Sequence, residues 1–211
     1  MLTKMKLADR FASIDSLAIT KENFSTFAEE GLYQYLENYG EINQTIRIGE
    51  FEYMNPILKR NLTEFNISIK KTRTTDELIV FRGISGTSRD FILNVGDIIT
   101  FDAFSSVSLV LDIAKIFTYN ETCCLFKIYL PRGTPIIDIT PFTQISELLL
   151  PLNSELKVIG KNVENISYVL EYVHDIQNDN LVSFTAPLPW NSTKGDFRSQ
   201  RRWKYNPMYV D

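Results

Sequence analysis

The spacing of apolar residues changes period once, near Thr74-Thr75-Asp76, and this switch constrains the fold more than any other feature of the chain. Before it the spacing is helical. Phe24, Phe27, Leu32, Tyr35 and Leu36 form one run, with Thr20 or Asn23 as its cap. Ile42 and Ile46 lie four apart and pack inward, while Asn43 and Arg47 share an adjacent face. Gly40 is either tolerated between two helical turns or marks a joint. A further helix runs from about Tyr53 to Lys71, with Pro56 in its first turn and Leu58, Leu62, Phe65 and Ile69 on one side. After the switch the chain reads as short strands: Leu78–Ile84, Ile98–Phe101, Ala103–Ser108, Cys123–Leu130, Ile136–Ile139, Glu147–Leu150, Leu156–Ile159 and Ser167–His174. These are rich in β-branched and aromatic residues and are separated by Gly, Pro, Asn or Asp. One helix, about Val110 to Phe117, interrupts them. Helices first and strands afterward predict an α+β fold.

At 211 residues and 44% hydrophobic, the chain suffices for one sizeable core. The expected organisation is a single domain over 1–185, with a helical lobe at about 1–74 and a sheet core at about 75–175. A basic extension follows at 186–211, where Lys194, Arg198, Arg201, Arg202 and Lys204 cluster. That cluster reads as a solvated tail, or as a dock for an acidic partner or lipid. A net charge of −4 and a pI of about 5.2 argue against nucleic acid as a partner. Cys123 and Cys124 are adjacent, so as strand neighbours they point to opposite faces and make a poor disulfide pair. With His174 the only histidine, neither a metal cluster nor a serine–histidine–aspartate triad is available. No run is long enough for a membrane-spanning helix, and Met1 to Ser13 lacks the apolar core of a secretory signal. A soluble monomer is expected, one that would enter another cell by injection, through a partner, or as a viral or phage product.

Within this frame stand a cation, a hydroxyl and a carboxylate, each in its own apolar strand: Arg82, Ser106 and Glu147. An arginine fork matches the oxygens of a pyrophosphate. A carboxylate across the same cleft can stabilise positive charge developing on a ribose. Four segments, in this order, resemble mono-ADP-ribosyltransferases of the arginine–serine–glutamate class, the group of clostridial exoenzymes and binary-toxin enzyme components. Tyr39-Gly40-Glu41-Ile42-Asn43-Gln44-Thr45-Ile46-Arg47 resembles the family's Tyr-x-x-Ile-Asn-x-x-Leu-Arg helix. Leu78 to Gly83 resembles the strand carrying the NAD-binding arginine. Phe104 to Leu109 resembles the Ser-Thr-Ser strand, with Val107 in place of threonine. Thr143 to Pro151 resembles the strand of the catalytic glutamate. The match spans roughly residues 30–175.

The resemblance implies two packed, mainly antiparallel sheets behind a helical lobe, with NAD as co-substrate in the cleft and no metal. It implies that Glu147 stabilises the developing cation, that the Ser106 hydroxyl accepts from Arg82 and orients Glu147, and that Arg82, Arg47, Asn43 and Gly83 hold the dinucleotide. Phe117 would supply an aromatic against nicotinamide, and Phe142 with Gln144 would meet the protein acceptor. The Gly-x-Gly-x-x-Gly loop of another dinucleotide fold is absent, as this mode of binding implies.

Two departures stand out. The family places Gln or Glu two residues before the catalytic glutamate, whereas this chain has Ile145 there and Gln144 one step earlier. A one-residue shift in a strand turns the side chain to the other face, so arginine is the acceptor hardest to support. After Phe117, Tyr119-Asn120-Glu121-Thr122 contains no arginine. The leading expectation is ADP-ribose transfer to a side chain of a target protein. The alternatives are an NAD glycohydrolase with water as acceptor, and a catalytically silent binding module of the same fold.

Overall fold

The computed structural model describes residues 24–85, 93–118, 123–143, 145–163 and 166–173. The proposed caps Thr20 and Asn23, Gln144, His174 and the basic segment 186–211 lie outside them. Helix α1 (Thr26–Arg47) begins instead at Ser25, whose hydroxyl accepts from the Ala28 amide at 3.2 Å. It breaks at Asn38 (φ −133°, ψ 26°), and Gly40 is tolerated within the helical turns that follow. A single 3₁₀ turn (Phe51–Tyr53) precedes α2 (Pro56–Lys71), so the second helix starts later than its apolar spacing suggested. Asn55 caps α2 by accepting from the Ile57 and Leu58 amides, and Pro56 occupies the position where a missing N–H is harmless.

Among the described residues eight strands follow: β1 (Leu78–Ser85), β2 (Ile98–Phe101), β3 (Ser105–Val107), β4 (Cys123–Leu130), β5 (Ile137–Asp138), β6 (Leu148–Leu150), β7 (Ser154–Val163) and β8 (Ile166–Tyr172). Two short helices, α3 (Leu111–Ile116) and α4 (Thr140–Thr143), interrupt them. The strands form a five-stranded sheet, β1-β4-β8-β7-β2, and a three-stranded sheet, β3-β6-β5. All neighbours are antiparallel except β4 and β8. The α+β fold of two mainly antiparallel sheets behind a helical lobe is therefore as expected.

The three-stranded sheet is buried on both faces, and its alternation places the site. Leu148 and Leu150 join Val80, Phe126, Leu156 and Leu170 in the core between the sheets. Leu149 points the other way, into a second core with Leu32, Tyr35, Phe65, Ile69 and Phe104. A run of three leucines is what a doubly covered strand requires. Ser106 pairs with Leu149 and so shares its helical-lobe face. At the corner where the sheets meet, Phe81 and Ser108 exchange two backbone hydrogen bonds, at 2.7 and 2.8 Å. That tie holds β1 against the end of β3. Cys124 is buried in the core between the sheets. No described helix is long and apolar enough to cross a membrane.

Candidate active site

Arg82 sits mid-strand in β1, on the same face as Val80, and so points toward the seam between the sheets. Its Nη1 donates to the backbone carbonyl of Ser106, and its guanidinium lies 5.4 Å from the centroid of the Phe101 ring. The contact corrects the expected one: the carbonyl of Ser106, not its hydroxyl, accepts from Arg82. The reason is geometric, since Ser106 turns its side chain toward the helical lobe while its backbone faces β1. Arg82 Nε is buried with no partner among the described residues.

The hydroxyl of Ser106 faces that of Tyr35, a buried residue of α1. Asn43, also buried, donates from Nδ2 to the Tyr35 hydroxyl at 3.2 Å, and its Oδ1 has no partner among the described residues. Burial pushes the Tyr35 phenol up to about 12, opposed by its bond to Asn43; the nearby Glu147 carboxylate raises it further. Burial also brings Arg82 down to about 10, reinforced by the like charge of Arg47 and opposed by Tyr35 and Glu147. Arg47 ends α1 with its surface exposed, and desolvation still lowers it, with Tyr35 and Asp102 opposing. Asp102 is raised by desolvation and drawn back by Arg47. Arg82, Arg47, Asn43, Ser106 and Glu147 each lie near enough to Tyr35 for its hydroxyl and their polar groups to influence one another.

Glu147 lies just before β6 rather than inside it as expected. Its amide donates to Thr140 Oγ1 at 3.1 Å, and its carbonyl accepts from the Ile139 amide at 3.0 Å. Thr140 is fixed in turn, its amide donating to Asp138 Oδ1 at 2.9 Å. The loop from 140 to 147 is thus closed by the backbone of the residue that carries the carboxylate. Among the described residues, the carboxylate itself takes no hydrogen bond.

The remaining expected residues divide. Phe142, in α4, is 39% exposed and packs edge-on against Tyr33 of α1, 46% exposed, with centroids 6.2 Å apart. Phe117 closes α3 and is half exposed. Gly83 has a structural reason of its own: a Cβ there would stand 2.0 Å from the Ala114 carbonyl of α3, so glycine lets that helix lie on β1. Ile145 is half-buried, and its carbonyl accepts from Thr143 Oγ1. A cavity of about 680 Å³ on the helical lobe, lined by Gln34, Asn38, Glu41, Thr45 and Tyr53 among others, includes none of the grouped residues. No cluster of potential metal ligands occurs among the described residues.

Sequence reasoning missed Tyr35, Asp102 and Thr140. Tyr35 was legible only as an apolar helical position. On a straight helix residues eight apart point about 80° away from each other, and the break at Asn38 is what lets Tyr35 and Asn43 meet.

Two mainly antiparallel sheets behind a helical lobe, with arginine, serine and glutamate gathered at the seam, define a mono-ADP-ribosyltransferase of the arginine–serine–glutamate class. The chain belongs to the ADP-ribosyltransferase exoenzyme family, whose model matches residues 14–181. It is accordingly an NAD-dependent enzyme that moves ADP-ribose to a target protein and releases nicotinamide. Three solved structures share the fold. Plx2a, a toxin from Paenibacillus larvae, is 17% identical, with a TM-score of 0.59 over 79% of this chain and 93% of that one. C3stau2 from S. aureus, solved with NAD, is 19% identical, with a TM-score of 0.58 over 79% and 94%. The C3 exoenzyme of Clostridium limosum is 19% identical, with a TM-score of 0.59 over 77% and 91%. No curated protein matches the chain in sequence.

Proposed function

We propose that Glu147 is the catalytic carboxylate of this transfer and that Arg82, Arg47 and Asn43 hold the dinucleotide. The observation that carries this is that Asn43 bonds the buried Tyr35 hydroxyl, and that Ser106, Glu147 and Arg82 lie near enough to act on that same hydroxyl. The unpartnered Arg82 Nε suits an anionic oxygen, and the unpartnered Asn43 Oδ1 suits a hydroxyl donor; NAD offers both. As the bond from ribose C1 to the nicotinamide nitrogen breaks, nicotinamide leaves with the electron pair and positive charge grows on the ribose. A fixed carboxylate gains more from that charge in the transition state than in the ground state. The nucleophile of the acceptor then bonds to C1 and gives up its proton. Ser106, whose side chain faces the helical lobe, is the residue placed to orient that carboxylate when NAD is bound, and no step calls for a metal.

The acceptor is a side chain of a protein that docks across the exposed Tyr33–Phe142 pair beside the Glu147 loop. Phe117 lines the nicotinamide end, and Gln144 contributes to acceptor recognition. Ile145, two residues before Glu147, offers no polar group to an incoming arginine and so favours a different acceptor residue. The same observation supports a second reading, NAD hydrolysis with water as acceptor. Residues 1–185 form the transferase domain, which acts within a host-cell cytoplasm.

Incubation with labelled NAD and host lysate, comparing wild type with Glu147→Gln, tests the proposal. Nicotinamide release with label on a protein supports transfer, and release with no labelled protein supports hydrolysis. Equal activity of the two proteins would remove Glu147 from the mechanism.

A further inference from the structure

The outward-facing groups of the site are accounted for by the reading above, but the buried phenol at its centre is not. Tyr35 is locked from two sides. Its ring lies 5.1 Å from that of Phe104, edge-on, and 6.1 Å from that of Phe65, so its hydroxyl is a fixed point at the joint of helix and sheet. That hydroxyl accepts from Asn43 Nδ2 at 3.2 Å across the break in α1. An amide has one donor end and one acceptor end, so fixing the first fixes the second. Asn43 Oδ1 is left buried and without a partner among the described residues. An unmet acceptor in such a place is destabilising until a donor arrives.

We propose that Tyr35 is a positioning residue, whose hydroxyl holds the Asn43 amide by its N–H and so presents Oδ1 as the acceptor for a hydroxyl of the bound dinucleotide. The inference rests on NAD occupying this site. It extends that reading to a residue that itself touches no substrate. Because burial pushes the phenol up to about 12, Tyr35 stays protonated near neutral pH and accepts from Asn43 while its own O–H lies toward Ser106. A phenylalanine would preserve the ring packing but release the amide. Free to turn, Asn43 would then meet the ligand with its donor end as often as with its acceptor.

NAD affinity by calorimetry, measured for Tyr35→Phe, Asn43→Ala and the double variant, tests this. Each single change is expected to weaken NAD by about tenfold, the size of one hydrogen bond. The double variant should be no weaker than Asn43→Ala alone, because the phenol acts only through that amide. A phenol that merely supported packing would instead lower affinity further in the Asn43→Ala background. Losses that multiply, or wild-type affinity in Tyr35→Phe, would overturn the proposal. Should Tyr35→Phe melt too early to assay, Asn43→Ala carries the test by itself: unchanged NAD affinity there leaves Tyr35 nothing to position. Wild-type nicotinamide release, followed in the same series, reports separately on the enzymatic reading.

Discussion

Arg82 stands inside an eight-residue strand with hydrogen-bonded neighbours along its length, whereas Glu147 stands just outside a three-residue strand, on a turn closed by one threonine hydroxyl. The arginine side includes Asn43 and Tyr35, both buried; the glutamate side borders Phe142 and Tyr33, both exposed. On the proposed assignment, regular elements hold the groups that bind NAD, and a short, half-buried turn presents the group that reacts. The difference suits two partners. A dinucleotide of fixed shape gains from a preorganised socket, while a protein acceptor needs an open approach.

The contrast can be broken most sharply at Glu147. Glu147→Gln should lower kcat for nicotinamide release by about 10²–10³-fold, because the lost interaction is made in the transition state. Its NAD affinity should stay within about threefold of wild type, since ground-state binding keeps its other contacts. Comparable losses in both would show that the two sides are not separate.

Arg82→Met should do the reverse. NAD affinity is expected to fall by about 10–100-fold, the range for a hydrogen bond to a charged group. Stability should move the other way. A guanidinium whose pKa falls on folding binds its proton more weakly in the folded state, so below about pH 10 the charge destabilises the fold. Removing it should raise the melting temperature by a few degrees. As pH climbs from about 10 toward the ordinary arginine value, folded wild type sheds the proton and the advantage of methionine shrinks. Thermal melts across that range, with calorimetry for NAD, check both signs.

Smaller effects sharpen the comparison on the reactive side. Thr140→Ala removes the acceptor for the Glu147 amide and should reduce kcat by up to about tenfold with little change in NAD affinity. Phe142→Ala should weaken protein modification by a fewfold, about 1 kcal/mol for an exposed aromatic pair, while leaving NAD hydrolysis unchanged. Parallel assays of protein labelling and nicotinamide release would separate the two. If Phe142→Ala impaired both reactions alike, the aromatic pair would belong to the turn's own packing.

The legibility of this molecule in its sequence follows the same division. The change in period near Thr74 located the helical lobe and the strands, because burial imposes 3.6- and 2-residue spacings locally. The Leu148–Leu150 run could be read as buried, yet only the coordinates show two cores, one on each side of it. Arg82, Ser106 and Glu147 were found from their neighbours in sequence. Their connection was not, because it runs through Tyr35, which belongs to an apolar stripe and meets Asn43 only through the break at Asn38. Gly83 carries a packing requirement that no local pattern marks: the carbonyl of Ala114 leaves no room for a Cβ there. Thr140 went unnoticed because its role depends on a turn closing seven residues later, which no local pattern marks.

The central claim is that one bound dinucleotide reaches from the strand cation to the turn carboxylate. A crystal structure of Glu147→Gln soaked with NAD tests it most directly. The account predicts the pyrophosphate against Arg82 and a hydroxyl of the nicotinamide ribose within hydrogen-bonding distance of residue 147. Density for NAD with its ribose turned away from that residue, or bound elsewhere on the molecule, would contradict it.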